Sequence, residues 1–170
     1  MPSTQSIKRW WRLSCDTGPR HTYPQEHLCA IFYHYASMSA TMEKNYWHWH
    51  NRKVDINGII DRPFFHEKEI WYGHLGVNIG FEQDGVGDDF LRPIVIIRKF
   101  NNEIFWAIPL TSRFKKSEYY FSFSFIEDQI STAILSQIRL VDARRLSHMI
   151  GYIQDADFIG LKEKLKALLP

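Results

Sequence analysis

Two residues in the second half of the chain can act together on a phosphate. Arg92 stands directly before Pro93 and the aliphatic run IVII, and Thr111 directly follows the run EIFWAIPL. A guanidinium is a planar, permanently charged fork that matches phosphoryl oxygens, and a threonine hydroxyl can donate a hydrogen bond to the same group. Such a pair can stabilise the negative charge that builds up when a nucleophile attacks phosphorus. A phosphoryl reaction also needs an acceptor for the nucleophile's proton and a donor for the departing oxygen. Taken alone, Arg92 reads as a solvated strand-edge arginine and Thr111 as a turn residue making a local bond. Their neighbours decide between the readings.

Several further side chains can serve or simply surround such a site. Glu82 and Gln83 lie in the Gly/Asp-rich stretch GFEQDGVGDDF, where a carboxylate can line a groove, act as a base or merely be solvated. Ser112 and Arg113 follow Thr111, and Lys115 and Lys116 extend a local basic run; solvated surface is the ordinary reading of that run. Gln137 and Arg139, two apart, would share one strand face and reach a base edge, a phosphate or the loop. His74 ends the run EIWYGH and has a side chain that titrates near neutral pH, although a lone strand histidine is commonly structural. Trp47-His48-Trp49-His50 does not read as a metal site, since residues two apart point to different helix faces. The Phe/Tyr face of YYFSFSF can stack bases, but core packing is the better reading.

These residues must be held by β-structure. EIWYGHLGV (69–77) reads as a strand, 80–90 as a loop, and RPIVIIRKF (92–100) as a strand buried on both faces. Asn101-Asn102 signals a hairpin into 103–110. Tyr119, Phe121, Phe123 and Phe125 alternate with serines along a further strand. TAILSQIRLV (132–141) predicts another strand. After it, Asp142 would cap a short helix ARRLSHMI ending at Gly151, and Asp155 or Asp157 would cap a last helix with Phe158, Leu161, Leu165 and Leu168 on one face. The fold class expected is mainly β (α+β): a small antiparallel β-barrel or curled sheet with short C-terminal helices. Upstream, Tyr46, Trp49, Lys53 and Ile56 recur at helical spacing and Asn57-Gly58 supplies a stop, so residues 42–67 read as a helix and linker. Residues 1–41, without sustained periodicity, read as an irregular or disordered extension. Translation starting at Met42 would explain the change of composition there.

Composition narrows the partners. Hydrophobic residues make up 45% and aromatic residues 15%, enough for a packed core. Residues 1–67 hold 8 Lys/Arg against 6 Asp/Glu and residues 68–170 hold 13 of each, which together give the net charge of +2. A protein gripping duplex phosphates shows a larger basic excess, so any nucleic-acid site here must be local. The two cysteines, Cys15 and Cys29, imply no disulfide framework and fit a reducing cytosol. The segment 28–40 has the flanks of an export signal, but His27, His34 and two tyrosines interrupt it. No apolar run is long enough to span a bilayer.

Four pieces in order resemble the PemK/MazF toxins. Gly80-Phe81-Glu82-Gln83 is similar to that family's G-x-E-Q, and Arg92-Pro93 with the following aliphatic strand to its R-P-x-h-h-h. Ile108-Pro109-Leu110-Thr111-Ser112 is similar to its h-P-h-T-[ST]. Leu135-Ser136-Gln137-Ile138-Arg139, with Val141-Asp142 and Arg144-Arg145-Leu146, is similar to L-x-Q-I-R-x-h-D-x-x-R-L. The resemblance covers about residues 68–168. It implies an SH3-like barrel, a homodimer, metal-independent cleavage of single-stranded RNA without a cofactor, a cognate antitoxin protein that blocks the RNA groove, and action in the cytoplasm. It makes Arg92 and Thr111 the catalytic pair. Glu82, Gln83, Ser112, Arg113, Gln137 and Arg139 are then the candidates for contact with RNA, and proton transfer is open among Glu82, His74 and Arg92 itself. Some relatives carry an acid where Ser136 stands. The rival readings are a CcdB-like gyrase-binding toxin on the same barrel, and an inactive interaction module. The last helix ends KALLP, without the aromatic tip that the gyrase-binding class would use.

Overall fold

Each of the central strands buries both of its faces, and this sets the architecture. The computed structural model describes residues 44–126 and 129–168. Lys44–Pro170 form one compact unit. The irregular extension expected over 1–41 and the start expected at Met42 lie outside the described residues.

Seven strands form one antiparallel sheet: β1 (Glu69–His74), β2 (Leu91–Lys99), β3 (Ile104–Thr111), β4 (Tyr120–Ile126), β5 (Gln129–Ile134), β6 (Arg139–Asp142) and β7 (Leu146–Tyr152). Their order is β4-β5-β3-β2-β1-β7, with β6 also paired to β3. Along β2 the side chains alternate between two cores. Val95 and Ile97 join Ile70, Ile108, Leu110, Phe123 and Leu161 on one face. Ile94 and Ile96 join Phe65, Trp71, Phe105 and Ala107 on the other. The sheet curls around the first core as a half-barrel, and α2 (Asp155–Lys166) closes it with Phe158, Leu161 and Leu165. Phe121, Phe123 and Phe125 of β4 all pack there, so the aromatic face is core. The hairpin at 101–102 forms as an Asx turn, in which the Asn101 side chain accepts from the Glu103 and Ile104 amides at 2.8 and 2.9 Å.

Two expectations are corrected. The run 132–141 is not one strand. It breaks into β5, a 3-10 turn at Leu135–Gln137, and β6. Both strands run along β3, pairing Leu110 with Ala133 and Ala107 with Arg139, so the break falls opposite Ile108-Pro109. A proline has no N–H to give a ladder, and the chain leaves the sheet there. Gln137 therefore sits in the turn, off any strand face shared with Arg139. The segment ARRLSHMI is not a helix either. Asp142 does cap, accepting from the Arg144 amide at 2.9 Å, but the chain makes only a single 3-10 turn, Ala143–Arg145, before it enters β7. Among the described residues one C-terminal helix remains. Its N-cap is Gln154, with Asp155 and Asp157 inside the first turn, where they favour the helix dipole.

Upstream, α1 (Tyr46–Gly58) forms as its spacing predicts, with Asn45 accepting from the His48 amide at 2.9 Å. It buries Trp49 and Ile56 against Phe90. Its C-terminal carbonyl at Asn57 accepts from Arg144 at 2.8 Å. Arg144 is itself held by Asp142 at 3.0 Å, and that bond keeps the Asp142 carboxyl well below the usual carboxylate range.

Candidate active site

Arg92 is aimed by backbone rather than by a counter-ion. It enters β2 opposite Gly73, and its side chain is half-buried. Its Nε donates to the carbonyl of Asp84, on the loop between β1 and β2, and one terminal nitrogen donates to the carbonyl of Leu110 at 3.2 Å. Leu110 is the residue before Thr111, so one peptide unit joins the two members of the pair. A guanidinium carries five N–H donors, and these bonds leave more than half of them for a ligand. The Asp84 carboxylate does not neutralise Arg92. It is taken by Lys44 at 2.8 Å and by the Asn78 amide at 2.6 Å. Among the described residues Arg92 has no ion-pair partner. Burial pushes the Arg92 guanidinium down from its ordinary value and nearby Asp84 pulls it back, but arginine stays charged at any working pH. The result is a fixed positive fork with room for an anion.

Thr111 closes β3 and pairs with Thr132 of β5. Its Oγ1 accepts from the Arg113 amide at 3.2 Å, which leaves its own proton to donate. Ser112 and Arg113 are exposed just beyond it.

Gln137 fastens the loop. Its amide nitrogen donates to the Phe81 carbonyl at 3.0 Å and its oxygen accepts from the Gln83 amide at 2.6 Å. The 3-10 break before β6 is what turns it outward to do so. Gln83 takes part through its backbone. Gln137→Leu is expected to free the 81–83 segment at a cost of about 1 kcal/mol, raising exchange of the Gln83 amide roughly fivefold. Hydrogen-exchange mass spectrometry of peptides covering 78–85 checks this; unchanged exchange would contradict the clamp.

Glu82 is exposed on the same loop, with its carboxylate accepting from the Ile79 amide at 3.1 Å. Ser136 is exposed beside Gln137. His74 is placed differently. It is 7% exposed, behind the loop, with Nδ1 donating to the Asp89 carbonyl at 2.7 Å. Desolvation lowers its pKa from the ordinary histidine value against the opposing pull of that bond, so the ring is neutral at pH 7. The unfolded chain then takes up a proton that the folded chain resists. The His74 contribution to stability is complete above the unfolded-state pKa and is lost as pH falls through the folded one. Thermal stability should fall from pH 7 toward pH 5, and His74→Gln should lose part of that slope; an identical slope would count against a buried neutral ring.

The loop also leans on α1. Tyr46 Oη donates to the Asn78 carbonyl at 3.3 Å and Lys44 to the same carbonyl at 2.7 Å. At the other end Arg52 pairs with Asp89 at 3.0 Å, and the His48 ring meets the Asp88 carbonyl at 3.0 Å. Phe90, two residues before Arg92, has φ +52 and packs edge-on against Trp49 at 5.3 Å. Nothing in the spacing of Lys44, Asn78 or Asp84 announces these roles, because each acts through contacts distant in sequence. Arg139 opens β6 and stands at a cavity of about 700 Å³ walled by α1 and by the loop around Asn78. No group of three or more His, Cys, Asp or Glu among the described residues is placed to hold a metal. No helix among them is long and apolar enough to cross a membrane.

The chain is similar to known proteins. The family model described as the PemK-like, MazF-like toxin of type II toxin-antitoxin systems matches residues 67–169. Among solved structures, MazF from Deinococcus radiodurans is similar at 17% identity and a TM-score of 0.50, over 64% of this chain and 96% of its own. An endoribonuclease from a mycobacterial species, in complex with its cognate antitoxin, is similar at 13% and 0.49, over 64% and 97%. The Mycobacterium tuberculosis toxin MazF-mt6 is similar at 15% and 0.46, over 58% and 93%. The Deinococcus structure supports the curled-sheet fold. No curated protein matches the chain.

Proposed function

Since this chain belongs to the PemK-like, MazF-like toxins of type II toxin-antitoxin systems, we propose that it is an endoribonuclease that cuts single-stranded RNA without a metal, using the RNA's own 2′-hydroxyl. The observation that carries this reading is the Arg92 fork, set by two backbone carbonyls beside Thr111 and left without a carboxylate partner among the described residues.

In the reaction the 2′-oxygen bonds to phosphorus as the bond to the 5′-oxygen breaks, giving a 2′,3′-cyclic phosphate and a 5′-hydroxyl. The donors left on Arg92 and the Thr111 hydroxyl bind the non-bridging oxygens as their charge grows, and they are already oriented before substrate arrives. Proton transfer falls to Glu82 rather than His74, since Glu82 is exposed on the loop and the His74 ring is buried behind it. Gln83 and Gln137 set the loop, while Ser112, Arg113 and Arg139 supply contacts to RNA. A cognate antitoxin would act by covering this face. A homodimer in the cytoplasm is part of the same reading.

The gyrase-binding alternative gains nothing here, since α2 turns Phe158, Leu161 and Leu165 into the core. Purified full-length protein is expected to cut mixed-sequence single-stranded RNA, and Thr111→Val to lower the rate by about 10²-fold. Failure of the wild type to cut RNA at any salt concentration would overturn the reading.

A further inference from the structure

The cavity beside α1 concentrates positive charge that the domain as a whole lacks. Lys53, Arg139 and Arg145 line it, against the single carboxylate of Glu82. Among the described residues neither Lys53 nor Arg139 has a carboxylate within ion-pair distance. Arg145 donates to the His74 carbonyl at 2.9 Å and lies 5.4 Å from the ring centre of Trp49, so its anchors are neutral as well. Arg139 is close enough to Arg145 to help push that guanidinium's pKa down, second to burial, the mark of two cations facing one space.

Rings of α1 line the same cavity, beside aliphatic side chains such as Leu75, Val77 and Leu140. Trp47 and His50 share one face of α1 and stack at 5.7 Å with their planes 17° apart. Trp47 is 75% exposed, so its indole is open to a ligand. Rings that stack bases beside cations that take phosphate are the ordinary chemistry of a site for single-stranded nucleic acid. The loop carrying Asn78 and Glu82 forms one side of this cavity, and through Asp84 the same loop holds Arg92. The helix supplying the rings lies upstream of residues 67–169, the stretch that matches the toxin family.

We propose that the cavity is an additional RNA subsite, built by α1, that receives a nucleotide flanking the scissile step: its base lies on Trp47 and His50, and its phosphate meets Lys53 and Arg139. This rests on the nuclease reading and assigns to it a determinant of substrate binding outside the matched region.

The test is binding of a mixed-sequence 2′-O-methyl RNA, which has no free 2′-hydroxyl to attack, to the full-length protein and to Trp47→Ala and Lys53→Ala. Both side chains are exposed, so the variants keep the fold, which circular dichroism verifies. Each variant is expected to raise Kd about tenfold. The quenching of tryptophan fluorescence by RNA should shrink in Trp47→Ala. If the wild type cuts RNA but both variants bind as tightly as the wild type, the subsite is overturned and the nuclease reading stands. If the wild type neither binds nor cuts RNA, the nuclease reading fails and the subsite fails with it.

Discussion

Replacing Arg92 with alanine is expected to lower the rate of RNA cleavage by about 10³-fold, the larger end of the range for losing preorganised donors to a developing oxyanion. The loss should fall on kcat more than on KM, because these bonds strengthen as charge builds on the non-bridging oxygens. Arg92→Lys sharpens the test. It keeps the charge but not the fork, and a lysine cannot meet the Asp84 and Leu110 carbonyls while also presenting two parallel donors to a phosphate. It should still lose about 10²-fold. If charge alone matters, lysine will restore most of the activity. Since Arg92 also ties loop to strand, thermal melts of both variants are needed beside the kinetics. An activity loss explained entirely by unfolding would count against a catalytic role.

Gly76→Ala is expected to be among the most damaging small substitutions in the described residues. Gly76 has φ +84, and a Cβ there would lie 2.0 to 2.4 Å from the Trp49 indole. The backbone conformation and the overlap together cost about 3 kcal/mol, which corresponds to a fall in Tm of about 10 °C for a domain of this size. The damage should not stay local. Trp49 can escape only by lifting α1, and α1, with Lys44 just before it, holds the 78–90 loop through Tyr46, Arg52 and Lys44. Cleavage should therefore fall at temperatures where the variant is still folded. A Gly76→Ala protein with wild-type Tm would mean that Trp49 does not pack on Gly76.

The strands that carry Arg92 and Thr111 are legible in the sequence because each is an uninterrupted apolar run, and burial on both faces leaves such a run no other home. The motif order does the rest for the family and for the pair itself. The illegible parts have physical causes. Strand β7 reads as a helix because it pairs with β1 through two irregularities, between Ile70 and Trp71 and between Tyr72 and Gly73, and these break the period-two pattern. Gly151 reads as a helix stop, yet it allows close passage of Phe125, whose ring a Cβ would meet at 2.8 Å. Gln137 reads as a strand residue because nothing in TAILSQIRLV announces the break opposite Pro109. The network from Lys44 through Asp84 to Arg92 links residues up to 48 apart in sequence, and no local pattern encodes it.

If Arg92 and Thr111 stabilise the phosphorus centre under attack by the RNA's own 2′-hydroxyl, the chemistry of the cut ends must show it. The most direct measurement is therefore the nature of the ends left when the full-length protein cuts single-stranded RNA in the presence of EDTA. The expected result is 2′,3′-cyclic phosphate and 5′-hydroxyl ends, undiminished cleavage in the chelator, and no cleavage of the same sequence made of DNA. Ends bearing 5′-phosphate, or cleavage that stops when divalent ions are removed, would contradict that role for the pair.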